Sequence, residues 1–317
     1  MASDAPTALA NDDWLACAQR MAERMRVRGF DYVMRNDGGY LSQICSSAEI
    51  FSYLYTRGLN IGGSIAPLVP EPFAGNPGAD NPGYTNGGLY NGPRTPDFDR
   101  FYFSPAHYAL VLYVALIECG RLSEEALEAF NKDGSKVELI GAEHSPGVES
   151  TTGSLGQALS QAIGVAMARR HRDEAGNVWV MMSDGEFQEG QTWEAIQCAS
   201  HYKLGNLAAI VDVNAQQCDG PMEGVMTVEP LAQRIRAFGG EAVDIDGHDM
   251  AAMDAAFKTR APDRPLFILA RTDPTRGVPL MNERPVLHYL RFGSHEERAR
   301  YQAAFEQLKA ESAAWNG

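Results

Sequence analysis

Two short polar motifs, about thirty residues apart, could bind a metal ion between them. Ser183-Asp184-Gly185-Glu186 and Asp212-Val213-Asn214 each follow a short apolar run. Such runs are typical of buried parallel strands, so Asp184 and Asn214 should both lie at carboxyl ends of strands. That edge of an open α/β sheet binds ligands. A carboxylate and an amide oxygen converging there suit Mg²⁺, which completes its coordination with water and phosphate. A plain strand-end turn with a helix cap is the alternative.

The elements that would position these motifs alternate regularly after Gly153. The apolar patterns predict strands near residues 178–183, 206–213, 242–245 and 266–270, and helices near 154–170 and 190–203, with a further helix between the last two strands. Other helices are predicted over about 14–35, 46–55, 107–119 and 294–313. Strands alternating with helices indicate an α/β fold whose parallel sheet carries helices on both faces. We expect one domain over residues 1–317, with a helical segment at about 10–60.

A stretch rich in Gly, Pro and Asn runs from about residue 62 to 96. It is too long for a plain connection, so we expect either a disordered segment or a functional flap.

The bulk composition excludes several classes of protein. The net charge of −14 argues against nucleic-acid and anionic-membrane partners, which would repel the chain. Its five cysteines are scattered and include no Cys-x-x-Cys pair, a pattern that favours reduced thiols over a disulfide framework or a zinc site. No signal peptide and no run of 18 apolar residues is visible. We therefore expect a soluble cytoplasmic protein.

Several dispersed segments, in the right order, resemble the diphosphate-binding half of transketolase. They are residues 148–157, 188–190, 193–195, 201–207, 219–220, 237–240 and 246–249. The Asp184…Asn214 pair is similar to the thiamine diphosphate motif, Gly-Asp-Gly followed by Asn, with Ser183 in place of the first Gly. The resemblance covers residues 97–288 well and the first hundred only loosely. It implies a thiamine diphosphate-binding fold and a transferase that moves a two-carbon ketol or related acyl unit.

The resemblance also implies a site, residue by residue. Magnesium (or calcium) ligands would be Asp184, Asn214 and the backbone carbonyl of Gln216. Cofactor contacts would come from Gly153, Leu155, Asp184, Gly185, Glu186, Asn214 and Cys218, with Gly153 and Leu155 against the aminopyrimidine ring. Catalytic groups would be His107 and His288, whose imidazoles serve proton transfer, and Glu189, an acid near a twofold interface together with Glu194. A substrate-binding histidine of the family has a weaker counterpart in His144.

Two departures from the family concern the substrate and the diphosphate. A substrate-facing histidine is replaced by Tyr40, which does not titrate near neutral pH. A lysine that approaches the diphosphate is missing from Thr272-Asp273-Pro274-Thr275, where Arg271 or Arg276 could substitute for it. Both changes predict a donor substrate other than the standard ketose.

Transketolases are about twice as long as this chain and also carry a pyrimidine domain, which supplies the glutamate that activates the cofactor. The resemblance therefore implies the N-terminal subunit of a split transketolase, active only with a partner chain in a two-plus-two heterotetramer. Two alternatives stay open. One is the α subunit of a 2-oxo acid dehydrogenase or an acyloin-forming thiamine enzyme; the other is a non-catalytic binding or regulatory protein with the same fold.

Overall fold

A computed structural model of the chain describes residues 14–76, 78–81 and 86–314. Within them, five strands form one parallel sheet in the order β2-β3-β4-β8-β7. The strands are β1 (Gly38–Gly39), β2 (Arg100–Phe103), β3 (Val178–Ser183), β4 (Leu207–Val213), β5 (Gln216–Gln217), β6 (Gly220–Pro221), β7 (Glu241–Asp246), β8 (Leu266–Arg271) and β9 (Leu290–Arg291). Two small antiparallel ladders, β1 with β9 and β5 with β6, lie outside the sheet.

The α-helices are α1 (Trp14–Arg35), α2 (Leu41–Tyr53), α3 (Ala109–Glu118), α4 (Gln157–His171), α5 (Gly190–His201), α6 (Met222–Val225), α7 (Leu231–Ala237), α8 (Met250–Lys258) and α9 (His295–Ala314). Short 3₁₀ turns at Gly87–Asn91, Ala106–Tyr108, Glu124–Ala129, Asp184–Gln188 and Pro279–Glu283, and a π turn at Leu54–Gly58, complete the regular structure.

The three inner strands, β3, β4 and β8, bury both of their faces, as their unbroken apolar runs predict. Alternate side chains of β3 point to opposite faces of the sheet. Trp179 and Met181 join a core with α1, α2, α3, α8 and α9, whereas Val180 and Met182 join a second core with α4, α5 and α7. The prediction of a parallel sheet with helices on both faces is confirmed.

The structure differs from the predicted elements at several places, and helices α6 and α7 were not predicted. Strand β2 was not predicted, because it contributes only four residues to the edge of the sheet. Helix α2 begins at Leu41 rather than Ser46. Helix α4 begins at Gln157 rather than near Ser154, because Gly156 has a left-handed conformation with φ 80°, which glycine adopts without strain.

The described part of the 62–96 segment is packed against the body of the protein. Arg121 donates hydrogen bonds to the carbonyls of Gly62 and Tyr90, at 2.9 Å each. The amide of Asn91 donates to the carbonyl of Gly147 at 3.0 Å. Residues 10–13 of the predicted helical segment, and residues 77 and 82–85 of this loop, lie outside the described residues. No described helix is long and apolar enough to span a bilayer.

Candidate functional site

A cavity of about 370 Å³ opens at the carboxyl ends of β3 and β4. Nearly all of the predicted site residues line it: His107, Gly153, Leu155, Asp184, Gly185, Glu189, Asn214, Gln216, Cys218 and His288. They come from segments up to 181 residues apart, so the parallel sheet is what brings them together. Ser42, Gln43, Tyr108, Ile140, Gln188 and Gln217 also line this cavity and were not predicted.

Asp184 links the ends of the neighbouring strands β3 and β4. Its carboxylate is 1% exposed and its Oδ2 accepts a hydrogen bond of 2.8 Å from the backbone N–H of Ala215. Burial and the nearby charge of Asp212 raise the pKa of Asp184 to about 7, although backbone N–H groups of Ala215 and Gly185 oppose the change. An anion held at this depth is stabilised by a bound cation.

Asn214 is oriented by a buried carboxylate that was not predicted as a site residue. Its Nδ2 donates to Asp212 Oδ2 at 3.0 Å and to the hydroxyl of Tyr108 at 2.9 Å. The side-chain oxygen of Asn214 is therefore the atom that can bind a ligand. It accepts one hydrogen bond, from Gln216 N at 2.9 Å, and retains a second lone pair.

Asp212 itself is fully buried. Ser46 Oγ donates to its Oδ2 at 2.6 Å, and Tyr108 OH does so at 3.0 Å. Residues i and i+2 of a strand share a face, so the spacing of Asp212 and Asn214 was a signal that could have identified this contact.

Two imidazoles line another wall of the cavity, and the phenol of Tyr40 packs against both of them. The rings of His107 and His288 have centroids 5.1 Å apart, and Tyr40 lies 5.7 Å from His107 and 5.5 Å from His288. Burial, together with the neighbouring His288, lowers the pKa of His107 to about 3. Burial also lowers the pKa of His288, against the opposing charge of Asp219. Both rings are therefore neutral at physiological pH, each able to donate one hydrogen bond and accept another.

Glycines keep two parts of the wall open. A Cβ at Gly185 would meet nothing within 4 Å, so this position presents bare backbone to the cavity. Gly153 has φ 99°, a conformation that side chains rarely adopt. Leu155, two residues later, contributes an apolar side chain to the same wall.

Glu186 is the exception among the predicted cofactor contacts. It does not line the cavity, and its side chain is fully buried behind the wall. The carboxylate instead accepts hydrogen bonds from Ser104 Oγ and from the backbone N–H groups of Gly156 and Ser183, the latter two at 3.0 Å. The structure therefore gives no support for direct contact between Glu186 and a ligand.

The remaining predicted residues, Glu189, Glu194 and His144, lie at the edge of the cavity or outside it. Glu189 is exposed at the cavity edge. Glu194 is exposed on α5, outside the cavity. His144 also lies outside it, where its ring stacks on Phe73 with centroids 4.3 Å apart and its Nε2 lies 3.1 Å from Glu138 Oε2.

No described lysine or arginine lines the cavity. Arg271 is paired with Glu229 and Asp244, and Arg276 lies 3.8 Å from Glu49, so neither replaces the missing lysine in this structure. Among the described residues no group of three or more His, Cys, Asp or Glu side chains could hold a metal ion. A metal here would rest on one carboxylate together with amide and carbonyl oxygens, a donor set that suits Mg²⁺ or Ca²⁺.

Comparison with known proteins identifies the family. The family described as "Transketolase, thiamine diphosphate binding domain" matches residues 89–307. A Sinorhizobium fredii protein described as an uncharacterized transketolase family protein is 42% identical, over 62% of this chain and 72% of its own length. The chain belongs to the transketolase family.

Full-length members of the transketolase family extend well beyond this chain. Human transketolase is 30% identical over 84% of this chain but only 38% of its own length. Human transketolase-like protein 2 is 33% identical over 81% of this chain and 37% of its own length. The transketolase of Campylobacter jejuni superimposes with a TM-score of 0.65 at 23% identity, over 95% of this chain and 48% of that one, which supports the fold. The chain thus spans a little over a third of the length of the curated transketolases it matches.

Proposed function

We propose that this chain is the diphosphate-binding subunit of a thiamine diphosphate- and Mg²⁺-dependent transferase. The enzyme would move a two-carbon ketol, or a related acyl unit, from a ketose-type donor to an aldehyde acceptor. One observation carries the proposal: the oxygen ligands at Asp184 and Asn214, the bare backbone at Gly185 and the imidazoles of His107 and His288 line a single cavity.

The residues present fit the cofactor and its metal. Asp184, the Asn214 side-chain oxygen and the Gln216 carbonyl would hold Mg²⁺, which in turn would hold the diphosphate. A cation would also offset the buried charge of Asp184, whose pKa is raised to about 7. Gly185 leaves room for phosphate oxygens to approach the backbone. When bound, thiamine diphosphate supplies the carbon centre that carries the transferred unit.

His107 and His288 would handle protons on the substrate oxygens. The pKa of His107 lies near 3, so it acts as a neutral hydrogen-bond donor and acceptor rather than as a standing acid. The amide of Gln43 donates to the backbone carbonyl of His288 at 3.0 Å, and this bond fixes that segment against α2. Tyr40 packs against both rings and limits how far either imidazole can turn.

A second polypeptide or domain would close the cavity. Ile140 and Val225, both 44% exposed, line it, and Met226 beside them is 58% exposed. Apolar side chains clustered around an opening are typical of surfaces that another chain covers. We propose that a pyrimidine-domain partner does so, in a two-plus-two heterotetramer with an obligate, apolar interface.

The proposal is tested by isolating the tagged chain from its own cells and identifying what co-purifies with it. The assembly should bind thiamine diphosphate in a Mg²⁺-dependent manner and transfer ketol units, whereas the chain purified alone should bind the cofactor weakly and transfer no ketol unit. Full turnover by the chain alone would refute the partner requirement. An assembly that binds the cofactor but turns over no ketose, 2-oxo acid or aldehyde would instead favour a binding or regulatory role.

A further inference from the structure

Glu186 is a buried carboxyl group that pairs with no described cation. Its side chain is 0% exposed, and within the described part of the chain it forms no ion pair. Its hydrogen-bond donors are all neutral: the hydroxyls of Ser104 and Ser183 and the backbone N–H groups of Gly156 and Ser183. An unpaired carboxylate is costly to bury unless its hydrogen bonds are well formed, so this one is held in place by its three partners.

Those partners belong to three of the segments that line the cavity. Ser104 directly follows β2 and lies three residues before His107. Gly156 precedes α4 and directly follows Leu155. Ser183 ends β3 and directly precedes Asp184. One carboxylate thus connects the imidazole segment, the Gly153–Leu155 segment and the metal-binding strand end.

We propose that Glu186 is a positioning residue that fixes the relative placement of these three wall segments without touching the cofactor. The inference rests on the proposed function, since it concerns the same cavity. Loss of the Glu186 carboxylate would let the imidazole of His107 move relative to Asp184 at the end of β3. Misplacement of catalytic groups by about 1 Å costs roughly 10²-fold in rate.

Glu186→Gln is a sharp probe because both carboxylate oxygens face a backbone N–H. Oε2 accepts from Gly156 N, and Oε1 accepts from Ser183 N. A glutamine has only one carbonyl oxygen, so in either orientation its NH₂ group opposes one backbone N–H. A hydroxyl could rotate to relieve this conflict, but a backbone N–H cannot.

Asp99 provides a matched control at the other end of the sheet. It is 6% exposed and precedes β2. Its oxygens accept hydrogen bonds from the backbone N–H groups of Asn60 at 2.9 Å and Asn177 at 2.7 Å. Asp99→Asn therefore creates the same conflict between an amide NH₂ and a backbone N–H, but far from the cavity.

Each variant is tagged on the chromosome and isolated with the assembly that it forms in the cell. Three quantities are measured: the unfolding midpoint, the Kd for thiamine diphosphate with Mg²⁺ by calorimetry, and kcat. Glu186→Gln should raise the Kd about tenfold or more and lower kcat roughly 10²-fold. Asp99→Asn should lower the unfolding midpoint but change the Kd by less than about twofold. A Glu186→Gln protein with unchanged Kd and kcat, or equal losses of affinity in both variants, would overturn the proposal.

Ser104→Ala keeps the experiment decisive if Glu186→Gln fails to fold. It removes only the hydroxyl that connects Glu186 to the His107 segment. We expect kcat to fall while the Kd stays within about twofold; an unchanged kcat would count against the inference. If the wild-type assembly itself binds no thiamine diphosphate, the proposed function fails first. If the wild-type assembly binds thiamine diphosphate and the variants bind it and react equally well, only the proposed role of Glu186 is refuted.

Discussion

Asp184→Asn should stabilise the metal-free protein at neutral pH while abolishing its response to the cofactor. The carboxyl is 1% exposed, and its pKa is raised from 3.8 to about 7 by burial and by the charge of Asp212. Ionising it in the folded state therefore costs about 4 kcal/mol at 1.4 kcal/mol per pKa unit. An amide of nearly the same shape avoids this cost and can still accept the hydrogen bond from Ala215 N, but it loses part of the interaction with Gly185 N, so about 4 kcal/mol is an upper value.

The pH dependence has a definite sign. Below about pH 4 the carboxyl is protonated in both states, so wild type and variant should be similarly stable. Between about pH 4 and 7 the folded state retains the proton that the unfolded state releases, so wild-type stability falls as the pH rises. By about pH 8 the difference in the free energy of unfolding reaches its upper value of about 4 kcal/mol in favour of Asp184→Asn.

Urea unfolding of the purified chain across this pH range, in chelator, measures the difference. Repeating it with Mg²⁺ and thiamine diphosphate adds the binding test. A ligand at 100 times its Kd stabilises the wild type by about 2.7 kcal/mol, and the variant should gain nothing. A variant that is less stable than the wild type at pH 8, and that still responds to Mg²⁺ and cofactor, would refute both the charge argument and the metal assignment.

Three further predictions concern the imidazole wall. His107→Ala should lower kcat roughly 10²-fold or more with little change in cofactor Kd; wild-type turnover would show that the ring does not face the reacting atoms. Because the pKa of His107 lies near 3, the kcat–pH profile between about pH 5 and 8 should contain no ionisation that His107→Gln removes. Tyr40 predicts that the enzyme uses xylulose 5-phosphate poorly relative to unphosphorylated ketoses or 2-oxo acids. Tyr40→His should reduce this difference in donor use. A wild-type preference for xylulose 5-phosphate in a donor screen would contradict the prediction.

The sequence by itself determined four of the five strands of the sheet and the location of the site. Unbroken apolar runs such as Val178–Met182 identify strands buried on both faces, and parallel strands place the residues that follow them at one edge. Asp184 and Asn214 could therefore be placed together before any coordinates were known. Helix α1 was predicted over its full span for a related reason, because its amphipathic period runs over 22 residues.

Only the tertiary structure decided what each polar residue near that edge does. Neighbours in sequence can point to opposite sides of a wall: Asp184 faces the cavity, whereas Glu186, two residues later, is buried behind it. The contacts of Glu186 with Ser104 and Gly156 join residues 82 and 30 positions away, and no local pattern encodes such distances. Likewise, the raised pKa of Asp184 depends on how deeply the fold buries it beside Asp212, because desolvation is a property of the packed interior and not of the motif.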